Sequence, residues 1–170
     1  RVVLGIDDSQ SVEAAARWVD PLCKAGPVEL ILAHLYWPPE AFRRFGLQGT
    51  RSFVDPDPEL VQALEQQFSR RLNGLLHAKL KIYRIEPHLG RLGDGLAGLA
   101  AEARADLLVV GSRARPALER FWEGSVARQA LHAATMSVAC VPGPAAAQIA
   151  HTPRLSAVLA ATDFSERTGS

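Results

Sequence analysis

Short apolar runs alternate along this chain with stretches of helical periodicity, and that alternation limits the fold more than any other feature. Val2 to Ile6 (VVLGI), Val28 to Leu35 (VELILAHL), Lys81 to Leu89 (KIYRIEPHL), Asp106 to Gly111 (DLLVVG) and Val138 to Val141 read as strands. The first and fourth are apolar at consecutive positions, as strands buried on both faces are. Pro87 places the third at an edge or ends it early. Ser11 to about Asp20 reads as a helix, with Ala15, Trp18, Val19 and Leu22 at i, i+3, i+4 and i+7. Pro21 is expected to end or kink it, because proline cannot donate to the preceding turn. Asp57-Pro58-Glu59 is a helix start, with an N-cap acid and proline at the first helical position. Leu60, Leu64, Phe68, Leu72, Leu75 and Leu76 then form one apolar face to about Ala78. Asp94 to about Ala105 and Gly124 to Ala134 read as two more helices. The order βαβαβαβαβ predicts an α/β domain with an open five-stranded parallel sheet and helices on both faces. Ligands of such sheets sit beyond the carboxyl ends of the strands, where the strand order reverses. The loops after Ile6 and Val110 are therefore the first candidates.

A chain of 170 residues holds one such domain with little to spare. Its 48% hydrophobic and 22% charged residues are ordinary for a globular protein, and a net charge of +1 gives no reason to expect nucleic acid or an acidic membrane surface. No apolar run approaches the roughly 20 residues that span a bilayer. No basic segment followed by an apolar stretch opens the chain, so a cytoplasmic location is expected. Cys23 and Cys140 are too few for a disulfide scaffold and read as small core hydrophobes. Tyr36 to Asp57 is long for a connection and carries Arg43, Arg44 and Arg51. It reads either as a solvated loop or as a lid whose arginines meet phosphates.

The chemistry-bearing stretch runs from Val109-Val110-Gly111 through a loop with Arg113, Arg115 and Arg120 to Gly124-Ser125-Val126 at a helix start. Glycine permits close backbone approach, a helix start offers unpaired N–H groups, and arginines add positive charge, all of which suit a phosphate. The same succession also serves simply to turn a chain. No P-loop signature is present. His34, His77, His88, His132 and His151 have no metal-ligand spacing with one another or with cysteine. His34 reads as a satisfied core residue. There is no nucleophile elbow and no evident general base, so an enzyme is not expected, a slow ATPase aside.

With the strand order added, VVLGIDDS, GLAAEARADLLVVGSR and EGSVARQALHAATMSVACVP resemble the universal stress protein family from about Val2 to Pro142. The family's nucleotide pattern is glycine, two residues, glycine, nine residues, glycine, then serine or threonine. Gly111, Gly124 and Ser125 match it, and Ala114 stands where the second glycine belongs. The resemblance implies ATP, with or without Mg, as ligand. It implies that Asp7 faces the adenosine beside Gly5 and Ile6, although Asp7 could instead cap the following helix. It further implies that Leu35 and Val110 wall the adenine, and that backbone from Gly111 through Arg113 to Ala114, with Gly124, Ser125 and Val126, holds the phosphates. Ala114 weakens the phosphate half: a methyl group there strains a left-handed backbone or pushes the phosphate away. Two readings follow, a stress-response domain regulated by an adenine nucleotide and a nucleotide-independent dimerisation or partner-binding module.

Ser156 to Glu166 (SAVLAATDFSE) echoes the start of the chain, with Asp163 on Asp7 and Ser165 on Ser9. The organisation expected is a domain at 1–142, a linker at 143–155 and the start of a second, truncated repeat at 156–170. The family resemblance also implies pairing through Val138 to Val141, as a homodimer or as an intramolecular pseudo-dimer.

Overall fold

The computed structural model describes residues 1–112 and 126–143. Five strands, β1 (Val2–Gly5), β2 (Glu29–Tyr36), β3 (Leu80–Pro87), β4 (Leu107–Ser112) and β5 (Ser137–Pro142), form one parallel sheet in the order β3-β2-β1-β4-β5. Around it lie α1 (Ser11–Ala25), α2 (Pro38–Arg44), α3 (Pro58–Leu72), α4 (Leu92–Glu102) and α5 (Val126–Ala133). The expected α/β architecture is thus the observed one. β1 is central, flanked by β2 and β4, so the strand order reverses between β1 and β4.

Alternation along the strands feeds two cores. Leu4, Leu30, Leu32 and Val109 pack with Val12 and Val19 of α1 and with Leu60 and Phe68 of α3. Val3, Ile31, Ala33, Leu108 and Val110 face the other way, onto Leu96 and Ala100 of α4 and Ala127 and Ala130 of α5. Because both faces are covered, β1 is apolar and buried at every position. β3 is an edge strand, as Pro87 suggests, and β5 is the other edge. Cys23 and Cys140 are half-buried, and burial raises both thiol pKa values, which fits packing rather than reactivity.

Three expectations need correction. First, Pro21 does not end α1, which continues to Ala25. Proline in a helix interior costs about 3 kcal/mol. The turn holding it is secured by Asp20, which pairs with Lys24 at 2.6 Å and accepts the His77 N–H at 2.7 Å. Second, α3 begins where expected, with Asp57 Oδ1 accepting the Leu60 N–H at 3.0 Å, but it ends at Leu72 rather than near Ala78. Gly74, at φ +74°, turns the chain there, and Leu76 reaches the same core from outside the helix. Third, the stretch from Tyr36 to Asp57 is not wholly loop. Pro38 opens α2, and Ala41 and Phe42 bury themselves against the core.

α4 and α5 touch through Gly93, whose amide donates to Gln129 Oε1 at 3.0 Å. A Cβ on Gly93 would lie 2.3 Å from the Gln129 Cβ and 2.4 Å from the Val126 carbonyl oxygen.

Candidate functional site

The candidate site is the crevice where β1 and β4 end. Gly5 lies opposite Ala33 in the β1–β2 register. Two residues further on, Leu35 packs toward the α4 and α5 side, and Asp7 follows Ile6 just past the end of β1. Gly5 has little room for a side chain, since a Cβ would come 3.1 Å from Leu96 Cδ1 and 3.5 Å from Val110 Cγ1. Ile6 turns the other way and is buried. Its N–H continues the ladder to the Ala33 carbonyl at 2.8 Å, and its own carbonyl meets His34 Nδ1 at 2.8 Å.

The exposed Asp7 carboxylate accepts the Ser9 N–H at 2.8 Å and the Ser9 hydroxyl at 2.5 Å, both on Oδ1. This Asx turn shapes the loop. It is not a helix cap: the N-cap position of α1 is Gln10, with no side-chain cap. Asp7 therefore sits at the crevice on a turn it helps to build.

Side chains from the α3 side brace that loop from below. Arg71 donates to the Ser9 carbonyl at 2.8 Å and the Asp7 carbonyl at 3.4 Å, and its Nε lies 3.3 Å from Glu13. Gln67 donates to Asp8 at 2.5 Å, and Arg44 of α2 pairs with the same carboxylate. His34 is tucked against Phe68, with ring centroids 4.8 Å apart. Burial lowers its pKa, against the Ile6 carbonyl and the nearby Asp8 and Asp7 charges that raise it. A neutral ring donating from Nδ1 fits these contacts, so the expectation of a satisfied core histidine holds. Arg71 and Gln67 escaped sequence reasoning because on α3 they are ordinary polar positions. Only the tertiary fold brings them to the loop some sixty residues earlier.

At the end of β4 the Val110 side chain is buried, and Gly111 is hemmed in by α1. A Cβ there would lie 2.7 Å from Ser11 Oγ and 2.9 Å from the Ser11 carbonyl carbon. Glycine at 111 is thus required by the close passage of β4 against the start of α1. The Ser9 and Ser11 hydroxyls are 2.6 Å apart at that start, and the Gly143 N–H closes the β5 side on the Ser112 carbonyl at 2.7 Å. Leu35 is half-buried beside α4, where Gly95 leaves space for both Leu35 Cδ1 and the His88 ring. Val126 opens α5 and is half-buried. Arg113, Ala114, Gly124 and Ser125 lie outside the described residues, so the described part of the candidate site is the crevice at the ends of β1 and β4.

Two of the three arginines of the β2–α3 connection pair with carboxylates of the protein. Arg44 is on Asp8, while Arg51 bridges Asp57 at 2.6 Å and Glu59 at 2.9 Å. Arg43 is exposed. An open depression of about 350 Å³ lies beside Arg51, lined by Gln48, Asp55 and Pro58 among others. It belongs to that connection and not to the β1–β4 crevice. Among the described residues no group of three His, Cys, Asp or Glu side chains could hold a metal ion. No described helix is long and apolar enough to cross a membrane.

Residues 1–142 match the universal stress protein family. Among solved structures, a universal stress protein in complex with cAMP is 24% identical, with a TM-score of 0.59 over 84% of this chain and 96% of its own. The Archaeoglobus fulgidus universal stress protein in complex with dAMP is 20% identical, with a TM-score of 0.56 over 82% and 95%. UspA of Lactobacillus plantarum is 16% identical, with a TM-score of 0.55 over 82% and 96%. No curated protein matches the chain.

Proposed function

The chain belongs to the universal stress protein family, and on that premise we propose that it is a stress-response regulatory domain that binds an adenine nucleotide, ATP above all, at the carboxyl ends of β1 and β4. The observation that carries this reading is the braced Asp7 turn at the strand-order reversal, at the carboxyl ends of the strands that carry Gly5 and Leu35. Asp7 offers a fixed acceptor suited to ribose hydroxyls, and Leu35 offers apolar surface suited to a base. Gly111, Gly124 and Ser125 supply the spacing for the phosphates, and Mg would arrive with the triphosphate. Solved relatives carrying cAMP and dAMP support an adenine ligand, and both of those ligands combine adenine, a ribose or deoxyribose and a single phosphate.

The domain acts by binding rather than by catalysis, and its place is the cytoplasm. Ala114 makes the phosphates contribute less than the base and sugar. Calorimetric titration with Mg-ATP and with AMP tests both points. Saturable binding of both, with ATP gaining more than about tenfold only after Ala114→Gly, is the expected result. Asp7→Ala should abolish binding of either nucleotide. No heat with any nucleotide in either form would favour the nucleotide-independent module, a reading that the charge-free β5 edge also supports. Phosphate release above a protein-free control, lost in Asp7→Ala, would overturn the non-enzymatic reading.

A further inference from the structure

We infer that Trp37 is the stacking surface for the base of the bound nucleotide, an inference that rests on the adenine-nucleotide reading above. Trp37 is 48% exposed, yet its neighbours Tyr36 and Pro38 are both buried. A half-exposed indole presents a large flat aromatic face on which another ring can stack.

The backbone beneath it is fixed on every side. The Tyr36 carbonyl accepts the His88 N–H at 2.9 Å, and the Tyr36 hydroxyl accepts the Asp57 N–H at 3.2 Å. The Trp37 carbonyl accepts the Ala41 N–H at 3.0 Å, and Pro38 sets the following φ. At its far end α2 is tied to the β1–α1 loop through Arg44 and Asp8. The indole is therefore presented on an ordered frame, and little further ordering would be needed when a ligand arrives.

Its location matches a base. Trp37 directly follows β2 with φ −83° and ψ 110°, so the backbone is still extended where the indole leaves the carboxyl end of the sheet. It stands two extended residues, about 7 Å, beyond Leu35, at the end of the sheet where the crevice opens. Leu35 and Asp7 lie two residues beyond the Ala33–Gly5 pair, so sugar acceptor, apolar floor and indole all come from the carboxyl ends of β1 and β2. A purine offers an aromatic face of the right size to cover that indole.

The test titrates the 170-residue chain with AMP and with ribose 5-phosphate, following heat and tryptophan emission, in the unmodified protein, Trp37→Phe and Trp37→Ala. Trp37→Ala should weaken AMP by about tenfold or more, and Trp37→Phe by less than about threefold, since a ring remains to stack. Ribose 5-phosphate, which lacks the base, should bind all three alike. With Trp122 replaced by Phe throughout, the fall in emission on adding AMP should disappear in Trp37→Phe, because the remaining Trp18 is packed against the core. Equal AMP affinity in the unmodified protein and Trp37→Ala would overturn the stacking role while leaving the nucleotide site intact. No heat with AMP in the unmodified protein would overturn the nucleotide reading and the stacking role with it.

Discussion

Burial holds the His34 imidazole below its usual pKa of about 6.5, even though the Ile6 carbonyl, Asp8 and Asp7 favour the proton. A histidine with a lowered folded pKa leaves the unfolded chain binding more protons, so stability rises with pH across that interval. Its contribution is fully present above about 6.5 and is lost as pH falls toward the folded value. Urea denaturation from pH 7 to pH 5 should therefore show decreasing stability. His34→Asn, which can keep a donor near the Ile6 carbonyl without titrating, should flatten that slope; an unchanged slope would show that His34 does not carry it. Arg71 is the other decisive residue. Arg71→Met keeps the apolar stem but removes the donors to Asp7 and Ser9, and should cost about 1–3 kcal/mol. Faster hydrogen exchange at the Ser9 amide would locate the loss in the turn, and retained protection there would refute the brace. The strand order pointed to the loop after Ile6, and the family resemblance singled out Asp7 within it. It could not identify Arg71, since nothing local distinguishes a guanidinium that points to water from one that reaches a loop some sixty residues earlier.

Elements whose signals are local were legible, and those decided by tertiary contact were not. The start of α3 is written in Asp57-Pro58-Glu59, and its cap bond is present at 3.0 Å. The end of α1 is not, because Pro21 argues for a stop while Asp20, Lys24 and His77 hold the turn from outside the proline's reach. α2 is likewise hidden, being too short for helical periodicity and held in place by the burial of Ala41 and Phe42. α4 offers a test within one helix, because two of its glycines have opposite surroundings. At Gly93 a methyl group would strike Gln129 and Val126 of α5, and Gly93→Ala should destabilise by about 1–3 kcal/mol. At Gly98 a Cβ meets nothing within 4 Å on an exposed turn, and Gly98→Ala should stabilise by about 0.5–1 kcal/mol. Thermal unfolding of the two variants decides it: shifts of the same sign would mean that the α4–α5 crossing is not set by Gly93.

The whole molecule ends in two sheet edges that differ in chemistry. β3 carries Lys81, Arg84 and Glu86 and finishes in Pro87, features that discourage a further strand from adding. β5 reads Ser-Val-Ala-Cys-Val-Pro, with no charged side chain until the chain leaves the sheet. An unpaired row of backbone groups beside apolar side chains is a template for another strand, and a two-fold pairing would satisfy both copies at once. The expected linker beyond Gly143 and the second-repeat start at 156–170 lie outside the described residues, so the edge is argued from β5 itself. We expect the 170-residue chain to sediment as a dimer that dissociates on dilution. Val138→Lys would set like charges near each other across such a pairing. It should shift the chain toward monomer at concentrations where the unmodified protein is dimeric, with an unchanged circular dichroism spectrum showing that the packing of position 138 against the α4–α5 core tolerates the longer side chain. Val138→Thr should leave the dimer in place, since it adds no charge. A monomer at all concentrations in the unmodified chain would rule out β5 self-pairing. A dimer unaffected by Val138→Lys would move the interface to another face.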